Sequence, residues 1–273
     1  STSGINRVSL GFDRFNNSSY INGYIKNFKY YDSPVTEDNL RSLTGSNKNI
    51  SRVADGLIVT YGLVLNLDAG NRSSYPGSGT TWTDLSGNDN NGTLVNGPTY
   101  SSSNGGSIVF DGVDDYVNAP SASIPISTTI SVSVWVRHNT LPSSVQRYLT
   151  VGNEVAVIRH DGFNSVGQLH FYIKTSGTVK LNLRVNNSLV TNTWYNIVGT
   201  WDGTRSRLYK NAVEIGTDTP GGTLNGGNLS YALSSSAVES LNGNIAQVSI
   251  YNRALTAAEV QQNFNALRGR YGI

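Results

Sequence analysis

Short runs of alternating apolar and polar residues dominate the chain from Gly62 onward. In residues 130–136 (ISVSVWV), every second position is aliphatic, while Ser, Ser and Trp occupy the positions between. A two-residue period places successive side chains on opposite faces and predicts a β-strand. Gly, Asn, Ser and Asp separate the runs, as expected of tight turns. Further strands are predicted at residues 63–67, 107–110, 116–117, 155–158, 169–173, 179–185, 194–201, 206–209, 212–215 and 245–251.

One helix is predicted near the C-terminus. Thr256 and Glu259 have the spacing of a capping box, in which each side chain binds the backbone N–H of the other residue. Val260, Phe264 and Leu267 follow at positions i, i+4 and i+7, and give the helix one apolar face. Many short strands and a single late helix predict an all-β fold, a two-sheet antiparallel sandwich, because a parallel α/β fold requires helices between its strands.

One sequence signature occurs twice. Residues 21–25 (INGYI) return as residues 241–245 (LNGNI), 220 positions later, and the Tyr and Thr that follow each copy keep the same spacing. An internal repeat at a fixed spacing defines the unit of architecture. Because the second copy closes the chain, we expect the first copy to close an earlier domain. Residues 1–45 are therefore predicted to be the C-terminal remnant of a preceding module, residues 46–61 a linker, and residues 62–273 a full domain.

The composition excludes several partners. Charged residues make up 14% of the chain and the net charge is +2, which does not indicate binding to nucleic acid or to an anionic membrane surface. The absence of Cys excludes disulfides and thiolate metal sites. No apolar run approaches the about 20 residues of a membrane-spanning helix. The polar surface must come from Ser, Thr, Asn and Gly, which suits a wet, polar protein interface.

Six segments occur in an order that is typical of one family. They are residues 82–88 (WTDLSGN), 110–117 (FDGVDDYV), 131–136 (SVSVWV), 194–203 (WYNIVGTWDG), 208–212 (LYKNA) and 241–256 (LNGNIAQVSIYNRALT). These segments resemble the concanavalin A-like lectin/glucanase superfamily, and within it the laminin-G-like (LamG type 3) branch, over about residues 62–265. The resemblance implies a jelly roll of two curved antiparallel sheets. It implies no single function, because this fold hosts lectins, adhesion modules, enzymes and structural caps.

A narrower resemblance concerns the two ends of the domain. Residues 62–71 (GLVLNLDAGN) and 263–273 (NFNALRGRYGI) are similar to lectin-like modules in virion structural proteins of tailed bacteriophages. This implies a non-enzymatic structural or adhesion protein, in a capsid decoration, tail or fibre, at a virion surface or otherwise extracellular. The alternatives are a secreted bacterial carbohydrate-binding or adhesion module and, third, a glycoside hydrolase.

The expected partners are other virion or assembly subunits and cell-surface glycans. Residues 1–45 contain two candidate strands, and two strands alone bury too little apolar surface to be stable. They require the rest of their own domain or the edge of a neighbouring subunit. We therefore expect an oligomeric or multivalent protein, in which weak single sites act together.

We expect no catalytic site. Glucanases of this superfamily carry a Glu-x-Asp-x-x-Glu strand, whose carboxylates act as nucleophile and acid/base. None of the five Glu residues of this chain has a carboxylate at the matching spacing. No Gly-x-Ser-x-Gly nucleophile elbow is present. The three histidines, His138, His160 and His170, lack the spacing of metal ligands.

Two acidic segments predict a calcium site. Residues 84–90 (DLSGNDN) place oxygen ligands at alternate positions, and Asp111, Asp114 and Asp115 form a second oxygen-rich group. The family resemblance also implies calcium, because many laminin-G-like domains bind it at the sheet rim. We therefore predict Asp84, Asp111 and Asp115 as Ca²⁺ ligands, with no cofactor required for the fold. The alternative is turn chemistry, since Asp and Asn side chains cap their own backbone in turns.

Aromatic residues near loops are candidate glycan contacts, because sugar rings stack on exposed aromatic rings. We predict this role for Trp82 and Tyr116. The alternative for Trp82 is a structural position at the end of the sandwich. Trp135, Trp194 and Trp201 lie in alternating strands and are predicted to fill the sandwich core.

Overall fold

The structure, a computed structural model, describes residues 57–163, 165–175, 178–179, 183–219, 221–234 and 239–273. These residues form two antiparallel β-sheets and one α-helix near the C-terminus. The predicted all-β sandwich with a short C-terminal helix is therefore confirmed. The predicted module remnant at residues 1–45 lies outside the described residues, as does most of the predicted linker. The described part of the chain has no helix that combines the length and apolar character needed to cross a membrane.

In the described part of the chain, seventeen strands form the two sheets and one α-helix packs outside them. In chain order they are β1 (Leu63–Asp68), β2 (Thr81–Trp82), β3 (Gly92–Val95), β4 (Thr99–Ser101), β5 (Ser107–Asp111), β6 (Tyr116–Ile126), β7 (Ile130–His138), β8 (Val145–Val151), β9 (Ala156–Asp161), β10 (Leu169–Thr175), β11 (Thr178–Val179), β12 (Leu183–Val185), β13 (Trp194–Trp201), β14 (Ser206–Lys210), β15 (Val213–Asp218), β16 (Gly227–Ser234), β17 (Asn242–Tyr251) and α1 (Ala257–Leu267). The eight-stranded sheet has the order β15-β14-β13-β7-β17-β5-β4, with β1 also paired to β17. The nine-stranded sheet has the order β11-β10-β9-β8-β16-β6-β3-β2, with β12 paired to β10.

The main core contains apolar side chains from both sheets. On β7, Ile130, Val132, Val134 and Val136 all belong to it, as their alternation predicted. Trp201 on β13 is fully buried in the same core. Burial of such side chains removes apolar surface from water and is the dominant favourable term in folding.

The other face of the eight-stranded sheet is also buried, because α1 packs against it. The Trp135 ring stacks on Phe264 and Tyr271, with ring centroids 5.7 Å and 4.2 Å apart. Trp194 contacts Tyr271 at a centroid distance of 4.8 Å. Trp135 and Trp194 therefore belong to a separate cluster under the helix, while only Trp201 of the three predicted core tryptophans lies between the sheets. The prediction was wrong for these two residues. Both faces of this sheet are buried, and the alternation of residues along a strand does not show which face packs against the other sheet and which against the helix.

Helix α1 begins with the predicted capping box. Thr256 Oγ1 accepts a hydrogen bond from the Glu259 amide at 3.3 Å, and Glu259 Oε2 accepts one from the Thr256 amide at 2.8 Å. Arg253 binds the same carboxylate through both terminal nitrogens, at 2.9 Å and 2.6 Å. The hydrogen bonds from Arg253 hold the pKa of Glu259 below its ordinary value, although burial opposes this. The helix start is thus fixed by three polar side chains.

The described end of the predicted linker, residues 57–61, contacts the domain. The Val59 amide donates to Asn263 Oδ1 at 2.7 Å, and the Tyr251 hydroxyl donates to the Val59 carbonyl at 2.9 Å. Asn263 Nδ2 in turn donates to the Tyr251 hydroxyl at 3.0 Å. The contacts of the domain therefore begin before Gly62.

Candidate functional site

Three carboxylates meet in the turn between β5 and β6. The potential ligand oxygens of Asp111, Asp114 and Asp115 all lie within 4.8 Å of one another. The Asp111 amide donates to Asp115 Oδ2 at 3.0 Å, and the Val113 amide donates to Asp111 Oδ1 at 2.8 Å. These bonds fold the turn and use one oxygen of each of the two carboxylates. Asp111 is exposed and Asp115 is buried, so the group opens to solvent on one side.

The electrostatics of this turn favour a cation. Burial raises the pKa of the Asp115 carboxyl, the Asp111 amide opposes the shift, and the charges of Asp111 and Asp114 add to it. A divalent cation relieves such like-charge repulsion, and carboxylate oxygens are the ligands that calcium takes. Asp111 and Asp115 therefore fit the predicted calcium site, with Asp114 as a third carboxylate.

Asp84 is not part of this group. Its Oδ1 accepts from the amides of Asn66 and Ser86, at 2.8 Å and 2.9 Å. Its Oδ2 accepts from Ser86 Oγ at 2.7 Å and from the Asn90 amide at 3.1 Å. Four donors thus occupy a side chain that is only 6% exposed. Asp84 therefore has the turn-capping role that was the alternative, and it is not among the carboxylates of the Asp111, Asp114 and Asp115 group.

The two predicted glycan contacts differ in exposure. Trp82 is 0% exposed and belongs to the main core, so its ring is not offered to a sugar. It holds the structural position that was the alternative, on a two-residue strand where it pairs with Gly92. Tyr116 is half-buried and directly follows the carboxylate turn. A role of Tyr116 in glycan contact stays a prediction.

A polar cavity of about 530 Å³ lies on the helix-bearing face of the eight-stranded sheet. Strands β5, β7, β13 and β17 form its floor, and the C-terminal residues after α1 form one wall. Ser103 also borders the cavity, as does Asn192 from the loop before β13. No Asp or Glu side chain is among the described residues that line it.

The sheet register places the floor residues side by side. Trp194 on β13 pairs with Arg137 on β7, and Arg137 pairs with Asn244 on β17. Directly opposed residues of antiparallel strands project on the same face. The three side chains therefore form one row, which the backbone hydrogen bonds of the sheet hold in place.

Arg137 lacks a carboxylate partner among the described residues. Its Nη1 donates to Asn139 Oδ1 at 3.1 Å and to Asn244 Oδ1 at 3.3 Å, and its Nη2 donates to Asn192 Oδ1 at 2.6 Å. Asn244 Nδ2 donates onward to Ser107 Oγ at 3.1 Å. By contrast, six other arginines form ion pairs, namely Arg147, Arg159, Arg184, Arg207, Arg253 and Arg270.

The sequence interpretation missed this cavity. The strand predicted at residues 130–136 ended two residues too early, because β7 continues to His138. Continued alternation places Arg137 on the face of Ser131, Ser133 and Trp135. The sequence signal that could have indicated the cavity was an arginine on this face, in a chain with few charged residues.

Two histidines that are distant in sequence meet inside the sandwich. The rings of His138 and His160 lie 5.7 Å apart, and His138 contacts Gln146 Oε1 at 2.9 Å and the Tyr148 hydroxyl at 2.7 Å. Burial, reinforced by His160, lowers the pKa of His138 to about 3, and burial lowers the pKa of His160 to about 4. Both are neutral at pH 7 and belong to the buried polar interior.

The sequence of this chain matches a known family. A sequence profile of the Laminin_G_3 family, described as concanavalin A-like lectin/glucanases superfamily, matches residues 111–261, more than half of the chain. The chain belongs to this family. Among curated proteins, none matches the sequence.

Solved structures with the same fold include domains of two bacterial proteins. The laminin-G-like domain is 20% identical to the binding domain of Paraclostridial Mosquitocidal Protein 1, with a TM-score of 0.57, covering 75% of this chain and 52% of that chain. It is also 20% identical to domain 4 of AbnA, a GH43 extracellular arabinanase from Geobacillus stearothermophilus, solved with arabinotriose. There the TM-score is 0.57, and the match covers 74% of this chain and 97% of that domain.

A third similar structure is Trypanosoma rangeli sialidase in complex with sialic acid. The identity is 13% and the TM-score 0.57, over 85% of this chain and 39% of that chain. The laminin-G-like domain thus spans about half of the mosquitocidal binding domain and less than half of the sialidase. At these identities the likeness shows the fold alone.

Proposed function

We propose that this domain is a non-catalytic, carbohydrate-binding module of the lectin type. The observation that carries the proposal is the polar cavity of about 530 Å³ on the eight-stranded sheet. Amides, hydroxyls and the Arg137 guanidinium line it, and these groups bind sugar hydroxyls, while Trp194 and Tyr271 add aromatic surface. A small set of placed polar groups beside aromatic side chains is typical of ligand sites. The saccharide bound by domain 4 of AbnA supports the same ligand class.

The chemistry of the carboxylates supports a binding role without catalysis. Glycoside hydrolysis requires a pair of carboxyl groups, one with a raised pKa as the acid. Glu154, Glu239 and Glu259 each form an ion pair with an arginine. Burial favours a raised pKa at Glu154, but Arg147 outweighs it, and the pKa values of Glu154 and Glu259 are both lowered. Glu154 and Glu259 are therefore poor general acids.

A blocked cavity is expected to abolish saccharide binding. Ser103 is an exposed residue of the cavity lining. Ser103→Trp would place a large side chain in the cavity without changing a residue on its floor. On a glycan array, the full chain is expected to bind a defined set of saccharides, and the variant to bind them at least about tenfold more weakly. Ser78→Trp, at an exposed loop position outside the cavity, is the matched control. A silent array would contradict carbohydrate binding, and product release from laminarin or agar would contradict its non-catalytic character.

We further propose that the domain is displayed on a bacteriophage virion, in an oligomeric capsid-decorating, tail or fibre protein. The repeated signature at residues 21–25 and 241–245 supports a chain with several such modules. Several weak sites on one particle bind a glycan-coated surface strongly, because the later contacts are intramolecular. A secreted bacterial carbohydrate-binding or adhesion module is the alternative. A gene among polysaccharide-utilisation genes, away from capsid and tail genes, would favour that alternative.

Calcium binding at the carboxylate turn is a separate proposal. At a Ca²⁺ concentration ten times the dissociation constant, ligand linkage stabilises the folded state by about 1.4 kcal/mol. We expect the melting temperature of the full chain to rise by about 3–6 °C. Asp111→Asn and Asp115→Asn should lose this shift, whereas Asp89→Asn, at an exposed site in the other predicted loop, should keep it. An equal response of all three variants would contradict the assignment.

A further inference from the structure

We infer that the cavity selects an anionic saccharide, whose carboxylate or sulfate group binds the guanidinium of Arg137 between Asn192 and Asn244. The inference rests on the proposed carbohydrate-binding function and names the ligand class of that same site. It follows from three observations: the charge of Arg137, the orientation of its neighbours and its fixed place in the sheet.

The charge of Arg137 is balanced by amide oxygens alone. Its three hydrogen bonds go to Asn139, Asn192 and Asn244, and no Asp or Glu is among the described residues lining the cavity. Arg137 is half-buried and forms no ion pair with a described Asp or Glu, so its guanidinium is accessible to an anion from solution. An anionic ligand supplies the missing counterion, and a hydrogen bond between charged groups is about twice as strong as a neutral one.

The hydrogen bonds of Arg137 leave some of its donors free for a ligand. A guanidinium has more N–H groups than its three present bonds use, so N–H groups remain for a ligand. Asn192 and Asn244 turn their oxygens toward Arg137, and their NH₂ groups therefore point elsewhere. That of Asn244 donates to Ser107 Oγ. The free N–H groups of Arg137 suit a carboxylate or sulfate, which only accepts hydrogen bonds.

The position of Arg137 is fixed before a ligand arrives. Its backbone pairs with Trp194 on one side and with Asn244 on the other, in the middle of the eight-stranded sheet. The Asn192 contact at 2.6 Å holds the end of the side chain from a third direction. A preorganised group loses little freedom on binding, so its contact adds to affinity. Arginine is also the side chain that matches planar anions through paired hydrogen bonds.

Matched saccharide pairs test this inference. The full chain is titrated by calorimetry with 3′-sialyllactose and lactose, with glucuronate and glucose oligosaccharides, and with sulfated and unsulfated galactose. We expect the acidic member of at least one pair to bind about ten- to hundredfold more tightly. This advantage should shrink at high ionic strength, because the site is open to solvent. Which pair responds distinguishes a carboxylate from a sulfate.

Two variants assign the preference to Arg137. Arg137→Gln removes the charge. Asn192→Asp places a carboxylate where the Asn192 amide oxygen now accepts from Arg137 at 2.6 Å, and so supplies a counterion from the protein itself. Both are expected to lose the acidic preference, about ten- to hundredfold, while neutral sugars are affected far less. Asn192→Asp keeps Arg137 and its contacts, so it remains informative if Arg137→Gln does not fold. Arg205→Gln, at an exposed arginine in the turn after β13, is the control for net charge.

The outcomes separate the inference from the proposed function. Loss of the acidic preference in both variants, but not in the control, supports the inference. Equal binding of acidic and neutral sugars, unchanged in both variants, overturns it and leaves carbohydrate binding intact. Absence of binding to every saccharide tested overturns both.

Discussion

Replacing Trp82 by alanine is expected to lower the free energy of unfolding by about 3–5 kcal/mol, the range for large aromatic residues removed from a core. Trp82 is 0% exposed and belongs to the main core. Its indole N–H has no hydrogen-bond partner among the described residues, so the ring contributes through packing. Trp82→Phe keeps an aromatic ring and is expected to cost about 1–2 kcal/mol.

Urea unfolding of the full chain and its variants measures this effect. Tyr116→Ala is the comparison, because Tyr116 was the other predicted glycan contact and is half-buried. It is expected to cost less than Trp82→Ala by at least about 1 kcal/mol. A Trp82→Ala variant that unfolds like the wild type and loses only saccharide binding would contradict the buried position of this residue.

Trp82 also shows where sequence patterns stop being informative. Its strand is two residues long, so no alternation is available to assign its side chain to a face. The surrounding Thr, Asp, Ser and Gly are typical of loops, and the sequence pattern therefore predicted an exposed aromatic side chain. The burial of Trp82 depends on contacts from strands that are distant in sequence, which local patterns do not contain.

For longer strands the sequence predicted the two faces, but not the elements that pack against each face. On β7, alternation separated the aliphatic face from the face of Ser131, Ser133 and Trp135. Both faces are buried, one by the other sheet and one by α1. The Ser131 hydroxyl donates to the Arg253 carbonyl and accepts from the Leu255 amide, each at 2.8 Å, which satisfies a polar residue in a buried place. Periodicity gives the two faces, whereas the identity of what covers each face is a tertiary property.

The two candidate sites differ in the same respect, because one is local in sequence and the other is not. Asp111, Asp114 and Asp115 are adjacent in sequence, so their proximity in space was predictable from the turn. The cavity draws its floor from four strands and its walls from loops and the C-terminus. Such a site has no local signature, and the unpaired charge of Arg137 becomes visible only in comparison with the six described arginines that have carboxylate partners.

Those partnered arginines include a row on the nine-stranded sheet. The register aligns Arg147 on β8 with Arg159 on β9, Arg159 with His170 on β10, and His170 with Arg184 on β12. Like charges on directly opposed positions destabilise a sheet. Asp161 Oδ2 lies 3.5 Å from Arg159 Nη2 and 3.4 Å from Arg184 Nη2, and so offsets the repulsion at this end of the row.

Arg147, at the other end of the row, is paired with two carboxylates. Its Nη2 binds Glu154 Oε1 at 2.6 Å and its Nε binds Glu239 Oε2, while the arginine side chain is 19% exposed. Arg147→Met is expected to lower the free energy of unfolding by about 3 kcal/mol, at the lower end of the range for a broken buried ion pair because these groups keep some solvent contact. The loss arises because two carboxylates remain in a partly buried place. Glu239 then retains only the Arg159 contact at 3.6 Å among the described ion pairs.

The pH dependence of stability gives an independent measurement of the same pairing. Burial favours a raised pKa for Glu154, but the hydrogen bond and charge of Arg147 outweigh it, so the folded-state pKa lies below the ordinary 4.5. A lowered folded-state pKa means that the stabilisation is present above the unfolded-state value and is lost as the pH falls through the folded-state value. Wild-type stability should therefore decrease below about pH 4.5, and Arg147→Met should show a shallower decrease.

Two further variants decide whether the pairing itself is responsible. Arg207→Met removes more exposed ion pairs, with Asp202 at 2.9 Å and with Glu214 at 3.9 Å, whose side chains are 34% and 42% exposed, and is expected to cost no more than about 1 kcal/mol. Adding Glu154→Gln and Glu239→Gln to Arg147→Met removes the unpaired charges and should recover most of the lost stability. Equal losses for Arg147→Met and Arg207→Met, or no recovery in the triple variant, would mean that Arg147 stabilises the sheet through the packing of its aliphatic stem.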